Sequence, residues 1–188
     1  MTMTEAEARR VRPWKSALFA MAVAVFVAVG WYYLSRPDES VRPVKAIPAA
    51  DWAGWVRTAR ADGKLVTYVP DPVPSGWRVT SARYETGVSP HWHVGMLTPG
   101  KYVGVEESRA STEDLVGQFV DENATQGKDV TVDGTTWQTW TDSGGDYALV
   151  RTTKAPDGQQ QRVLVYGSAP DAEIRDLAAS LSATAVPS

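Results

Sequence analysis

The chain has 188 residues, a formal net charge of −3 and no cysteine, which suits one ordinary domain plus a short extra segment and leaves no room for two full-sized domains. With 43% hydrophobic and 22% charged residues it is neither wholly disordered, collagen-like nor a polytopic membrane protein, and its mild acidity argues against nucleic acid as a partner. The lack of cysteine removes disulfides, thiolate nucleophiles, Cys-ligated zinc, iron–sulfur clusters and a cysteine-acylated lipoprotein anchor.

These averages conceal one segment unlike the rest. Ala17 to Leu34 reads ALFAMAVAVFVAVGWYYL, 18 residues without a charge. That is about 27 Å of helix at about 1.5 Å per residue, against a hydrocarbon core of about 30 Å. Lys15 is placed to snorkel, and Trp14 at one end with Trp31, Tyr32 and Tyr33 at the other sit like interfacial aromatic belts. Arg9, Arg10, Arg12 and Lys15 outweigh Glu5 and Glu7 before the span, whereas Arg36, Arg42 and Lys45 beyond it are diluted by Asp38 and Glu39. The positive-inside rule then keeps the N-terminus in the cytoplasm and exports the remainder across the inner membrane. Signal-peptide cleavage after Ala28 and Gly30 would fall inside the apolar run and leave Trp31-Tyr32-Tyr33-Leu34 as a new terminus, so a single-pass signal anchor is the better reading. A soluble core helix fits less well, because a chargeless run with aromatic ends is unusual there. The expected organisation is a cytoplasmic stub at 1–16, a transmembrane helix at 17–34 contacting the lipid bilayer, a Pro-rich spacer at 35–50 and an extracytoplasmic domain at 51–188. The first 15 residues carry +2, leaving −5 for the remainder, a charge unsuited to anionic lipid surfaces.

Asp51 to Asp62 carries Trp52, Trp55, Val56 and Ala59 at i, i+3, i+4 and i+7, with Asp51 as N-cap and Gly63 past the end. This predicts an amphipathic helix with both tryptophans in the core. KLVTYVP alternates into a strand that Pro70 stops, DPVPSGW is a loop, and Trp77 opens the strand RVTSARYE. HWHVGML and KYVGVEE are strands joined at Pro99-Gly100. Ser111 with Asp114 forms a capping-box pattern for a second helix running to about Thr125. DVTV and TTWQTWT flank the hairpin turn Asp133-Gly134, and DYALVRTT and QRVLVYG flank another at Asp157-Gly158. Ser168 with Asp171 caps a last helix with Ile174, Leu177, Ala178 and Leu181 on one face.

A helix, a short strand, a Trp-led strand and a Gly-turned hairpin occur at 51–107 and again at 112–167. Duplication is one account; chance alternation of hairpins and helices is the other, and the slight identity between the halves favours it. On either account the fold class is α+β: an N-terminal transmembrane helix, then a domain with one mainly antiparallel sheet packed by helices, like an α/β/α sandwich.

The basic N-terminus, single span, Pro spacer and Val73-Pro74-Ser75-Gly76-Trp77-Arg78 turn, followed by the Trp92 to Leu97 strand and Tyr102-Val103-Gly104, resemble an actinobacterial family of uncharacterised single-pass membrane proteins. The resemblance implies an extracytoplasmic domain of unknown function and supplies no catalytic residue. The element order is also similar, at the level of fold alone, to small extracytoplasmic lipoproteins and photosystem accessory subunits.

His91 and His93, the chain's two histidines, lie at i and i+2, so on a strand both imidazoles project from one face, a spacing suited to chelating zinc or copper. A third ligand must come from Glu85, Glu106 or Glu107; solvated histidines at a strand start after Pro90 are the simpler reading. Glu106 and Glu107 are adjacent and point to opposite faces, so they are no acid/base pair. No Ser/His/Asp order stands out as catalytic, and neither a phosphate-binding nor a dinucleotide-binding glycine pattern appears, so no cofactor is expected. Trp137 and Trp140, three apart on one strand, face opposite sides, which makes them the candidate binding surface, against the simpler account that both are core.

The sequence therefore points to a membrane-anchored extracytoplasmic binding or interaction module, with a membrane or envelope protein as the expected partner. The competing readings are an envelope enzyme or metal-binding protein using His91 and His93, and an accessory subunit pairing through Ala20, Ala24 and Ala28. An enzyme predicts a cleft where His91 or His93 meets a carboxylate; a binding module predicts an apolar groove without such a constellation.

Overall fold

Period-two alternation of apolar residues dominates the chain beyond Lys64, and most of those runs pair into one sheet. The computed structural model describes residues 45–186, within a compact unit spanning Lys45–Ser188. The stub, the expected transmembrane helix at 17–34 and most of the spacer lie outside the described residues; within them, no helix is long and apolar enough to cross a membrane.

Helix α1 (Ala49–Asp62) starts two residues before Asp51, behind Pro48, and ends on Gly63, whose φ of 66° is left-handed and whose N–H reaches Ala59 O. Its buried stripe is Trp52, Ala53, Val56 and Ala59, and Trp55 is 43% exposed. The expectation that both tryptophans are core is corrected: the stripe widens toward Ala53, which leaves Trp55 on the open shoulder of the helix.

The strands are β1 (Val69–Pro70), β2 (Arg78–Glu85), β3 (His91–Leu97), β4 (Tyr102–Ser108), β5 (Thr125–Gln126), β6 (Val130–Val132), β7 (Thr135–Thr141), β8 (Tyr147–Lys154), β9 (Gln160–Gly167) and β10 (Leu181–Ser182). Eight of them form an antiparallel sheet in the order β2-β3-β4-β9-β8-β7-β5, with β6 paired to β7, while β1 and β10 pair separately. Two three-stranded meanders thus meet at β4 and β9. Asp133 and Gly134 both have positive φ, 45° and 71°, the geometry of a tight two-residue turn.

Alternation divides the core between the two faces. Trp92, Val94, Val105, Val163 and Val165 pack with Trp52 and Val56 of α1 and with Ile174 and Leu177 of helix α3 (Asp171–Ser180). Ala148, Val150, Leu164 and Tyr166 point the other way, against Leu115 and Val116 of helix α2 (Thr112–Phe119). The fold is α+β, mostly antiparallel sheet with three helices among the described residues.

Local departures have physical causes. Ser111 caps α2 as expected, accepting from Asp114 N at 3.0 Å. The helix nonetheless stops at Phe119, well before Thr125, because Val120 and Asp121 both donate to Val116 O and Asp121 Oδ1 folds back onto Asn123 N. Pro170 takes the N-cap position of α3 in place of Ser168, and Leu181 leaves that helix to pair with Pro70.

KLVTYVP is a strand only at Val69–Pro70. Ahead of it, side chains stand in for a neighbouring strand. Gln161 accepts from Val66 N at 2.8 Å and donates to Val66 O at 2.9 Å, and Glu107 accepts from Tyr68 N at 2.8 Å. Trp92 Nε1 donates to Tyr68 O at 3.1 Å. Replacing Gln161 with Leu leaves both Val66 groups without partners, an expected loss on the order of 3 kcal/mol in urea denaturation. A loss below about 1 kcal/mol would mean that water replaces the amide.

Candidate functional site

The hairpin register decides which chemistry-bearing residues meet. On β3 and β4, His93 stands opposite Glu106 and His91 opposite Ser108. Both imidazoles converge on one carboxylate: His91 Nε2 lies 2.8 Å from Glu106 Oε2 and His93 Nδ1 lies 2.6 Å from Oε1. Tyr166 donates its hydroxyl to Oε1 at 3.2 Å. Glu106 is 0% exposed, whereas the histidine side chains retain 19% and 18%.

Ser81 joins this face through an irregularity. The β2–β3 register shifts between Val79 and Ser81, so that Val79 pairs with Met96 and Ser81 with Gly95. Val79 is in the α1 core; without the shift Ser81 would share its face, and with it Ser81 turns to the opposite one. There Ser81 Oγ lies 2.8 Å from His93 Nε2. Two facing glycines give the room. A Cβ at Gly95 would collide with Ser81 Oγ and crowd the Tyr102 hydroxyl, and one at Gly104, its β4 partner, would overlap the Tyr166 ring.

Open depressions flank the cluster. One of about 360 Å³ is lined by Ser81 and His93 together with Ile47, Asp51, Trp55 and Arg83. Another of about 350 Å³ is lined by His91 with Ser89, Arg109 and Phe119, the Phe119 ring lying 5.7 Å from the imidazole. Glu106 is sealed between them.

Burial pushes the Glu106 carboxyl up, but hydrogen bonds from His91 and His93 and their charge outweigh it, so its pKa ends below the ordinary value. An ionised carboxylate only accepts, so when His93 is in its neutral form the proton lies on Nδ1 and the Nε2 lone pair faces Ser81. Burial raises the Tyr102 pKa, and burial with the Glu106 charge raises that of Tyr166, so both phenols stay protonated.

Of the expected third ligands, Glu106 alone meets the histidines. Glu85 pairs with Arg83 at 3.0 Å, and Glu107 projects into the opposite core, where burial holds its carboxyl well above the ordinary value. Among the described residues no group of three or more His, Cys, Asp or Glu side chains is arranged to hold a metal ion: each imidazole nitrogen facing Glu106 is spent on a carboxylate oxygen. Trp137 and Trp140 do face opposite sides, but Trp137 is 1% exposed in the α1 core and Trp140 is half-buried beside the α2 cluster. Trp137 is thus a core indole, as the simpler account expects, and Trp140 keeps a half-buried place on the other face of β7. No sequence motif marks Ser81, Tyr102 or Tyr166 as site residues; the glycines at 95 and 104, each flanked by valine or methionine within a strand, are the signal that something lies close over the sheet.

A depressed carboxylate contributes stability that is present above its unfolded pKa, about 4.3, and lost as pH falls through the lower folded value. Glu106→Gln is therefore expected to lower stability by about 2 kcal/mol at neutral pH and to flatten the fall in melting temperature between about pH 5 and 3. Thermal unfolding of both proteins across that range checks it, and parallel profiles would contradict the assignment.

No curated protein matches the chain. Among solved structures it is similar to MucB in the crystal structure of MucB in complex with MucA(peri), at 12% identity and a TM-score of 0.37, over 61% of this chain and 35% of that one. The complex structure of Pseudomonas aeruginosa MucA/MucB gives 14% identity and a TM-score of 0.37, over 61% of this chain and 34% of that one. The chain spans about a third of the length of either. A family model described as a protein of unknown function, DUF4245, matches residues 9–181, and the chain belongs to that family.

Proposed function

We propose that this protein is a single-pass, membrane-anchored module with its N-terminus in the cytoplasm and an extracytoplasmic domain that binds an envelope partner or ligand along the β2 edge of its sheet. The charge-flanked apolar run at 17–34 supports the anchor, and the family match starts at residue 9, ahead of that run. The observation that carries the binding site is the depression in which Ser81 and His93 share a wall with the exposed Trp55. Large aromatics open to solvent beside a fixed polar group are the anchors that binding surfaces use.

A second reading, an envelope enzyme, draws on the meeting of His91 and His93 with a buried carboxylate within hydrogen-bond reach.

Alkaline phosphatase fused after Ser188 is expected to be active, and a fluorescent protein that matures only in the cytoplasm is expected to stay dark there; the reverse pattern would overturn the topology. A photo-crosslinking residue at Trp55 is expected to give an adduct in intact membranes that the same residue at the exposed Thr136 does not. Equal adducts at both positions, or none at Trp55, would overturn the binding site.

A further inference from the structure

Resting on the same site, we propose that Ser81 is an activated nucleophile that hydrolyses short-chain or aryl carboxylic esters. The geometry is a relay: Ser81 Oγ sits 2.8 Å from His93 Nε2, and His93 Nδ1 sits 2.6 Å from Glu106 Oε1. Nucleophile, base and orienting carboxylate lie in the order and at the spacing that such activation needs. His91 is a positioning residue: by holding Oε2 it leaves Oε1 to face His93.

In the first half-reaction Ser81 Oγ attacks the ester carbonyl carbon and its proton passes to His93 Nε2. The tetrahedral adduct collapses, the C–O bond to the alcohol breaks, and Nε2 returns the proton to the departing alkoxide, leaving an acyl ester on Ser81. Water then attacks that ester, His93 takes a proton from it, and collapse releases the carboxylic acid with the proton returned to Ser81. The sum is ester plus water to acid plus alcohol, with no other reactant.

The surroundings fit that substrate class. Ser81 is half-buried on the edge strand and opens into the depression of about 360 Å³, a volume suited to a small acyl or aryl group. Ile47 and the exposed Trp55 give its apolar wall, and Asp51 and Arg83 its polar rim. The Tyr102 hydroxyl borders the same Gly95 gap as Ser81 Oγ. As a protonated phenol it is the hydrogen-bond donor nearest that gap, although it does not line the depression itself.

The test uses the full chain in detergent. A fluorophosphonate probe is expected to add once, at Ser81 by peptide mapping, and Ser81→Ala to abolish the adduct while Ser89→Ala keeps it. His93→Gln is expected to slow labelling and p-nitrophenyl butyrate hydrolysis by about 100-fold or more. No adduct, an adduct elsewhere, or an unchanged rate in His93→Gln would overturn the proposal.

The absence of cysteine permits a second measurement that survives poor folding of the His93 variant. Ser81→Cys places a lone thiol beside His93, and its alkylation by iodoacetamide is expected to persist well below the ordinary thiol pKa of about 8.5. A profile centred on 8.5 would overturn activation by His93. Crosslinking from Trp55 in the Ser81→Ala background separates the two claims. Read against probe labelling of the chain that retains Ser81, no labelling with crosslinking present sinks the nucleophile alone, labelling with crosslinking absent sinks the binding reading alone, and crosslinking that persists in Ser81→Ala shows that the surface does not depend on the hydroxyl.

Discussion

Strand β4 lies inside the sheet, between β3 and β9, and carries two glutamates in succession, both 0% exposed. Alternation sends one carboxylate to each face, so each core must find donors for a group whose unpartnered burial costs several kcal/mol. The two faces answer differently. On the α1 side, Gln161 Nε2 and Tyr68 N donate to Glu107, which docks the Leu65–Tyr68 segment and fixes the floor on which the Trp92 indole rests. Burial prevails there, and the Glu107 pKa rises. On the α2 side, two imidazoles and a phenol surround Glu106, and its pKa falls. One carboxylate is a clamp whose pKa burial raises against the pull of its two N–H donors; its neighbour is an anion at neutral pH that fixes the orientation of two imidazoles.

The parts of this arrangement that are local were readable from residues alone. The strands at 78–85 and 91–97, the turns at Pro99-Gly100 and Asp133-Gly134, and the Ser111 cap follow from alternation and turn chemistry. The pairing of Glu106 with the histidines was within reach as one of three candidates, because a short hairpin loop fixes which residues face each other. The remainder depends on contacts between distant segments. Nothing near Ser81 in sequence announces the register shift that turns it toward His93. Residues 64–68 alternate like a strand, yet their partners are the side chains of Gln161 and Glu107, which pattern does not encode. Trp55, expected in the core, is exposed because the rotation of a helix about its axis is a tertiary fact, whereas Trp137 is sealed as the simpler account of its strand expects.

The sheet also contains its own comparison. Its halves are meanders of the same form, β2-β3-β4 and β9-β8-β7, meeting where Glu106 stands directly opposite Leu164. On that shared face the second hairpin carries the cross-strand pair Val150 and Leu164, and Ala148 beside them, as an apolar core under α2. The first hairpin carries His93 and Glu106, with His91 beside them. An apolar trio evidently satisfies the topology, and it would bury area without desolvating a charge. The polar trio stands between two open depressions, one walled by α1 and one by α2, and Ser81 is brought to it by a register shift that a meander does not need for pairing. Local rules are broken there in several independent ways, by a buried anion, a bulged edge strand and two bare glycines that make room for Ser81, Tyr102 and Tyr166 around it. Such concentration of departures from local rules is what supports the proposed site over a core that happens to be polar.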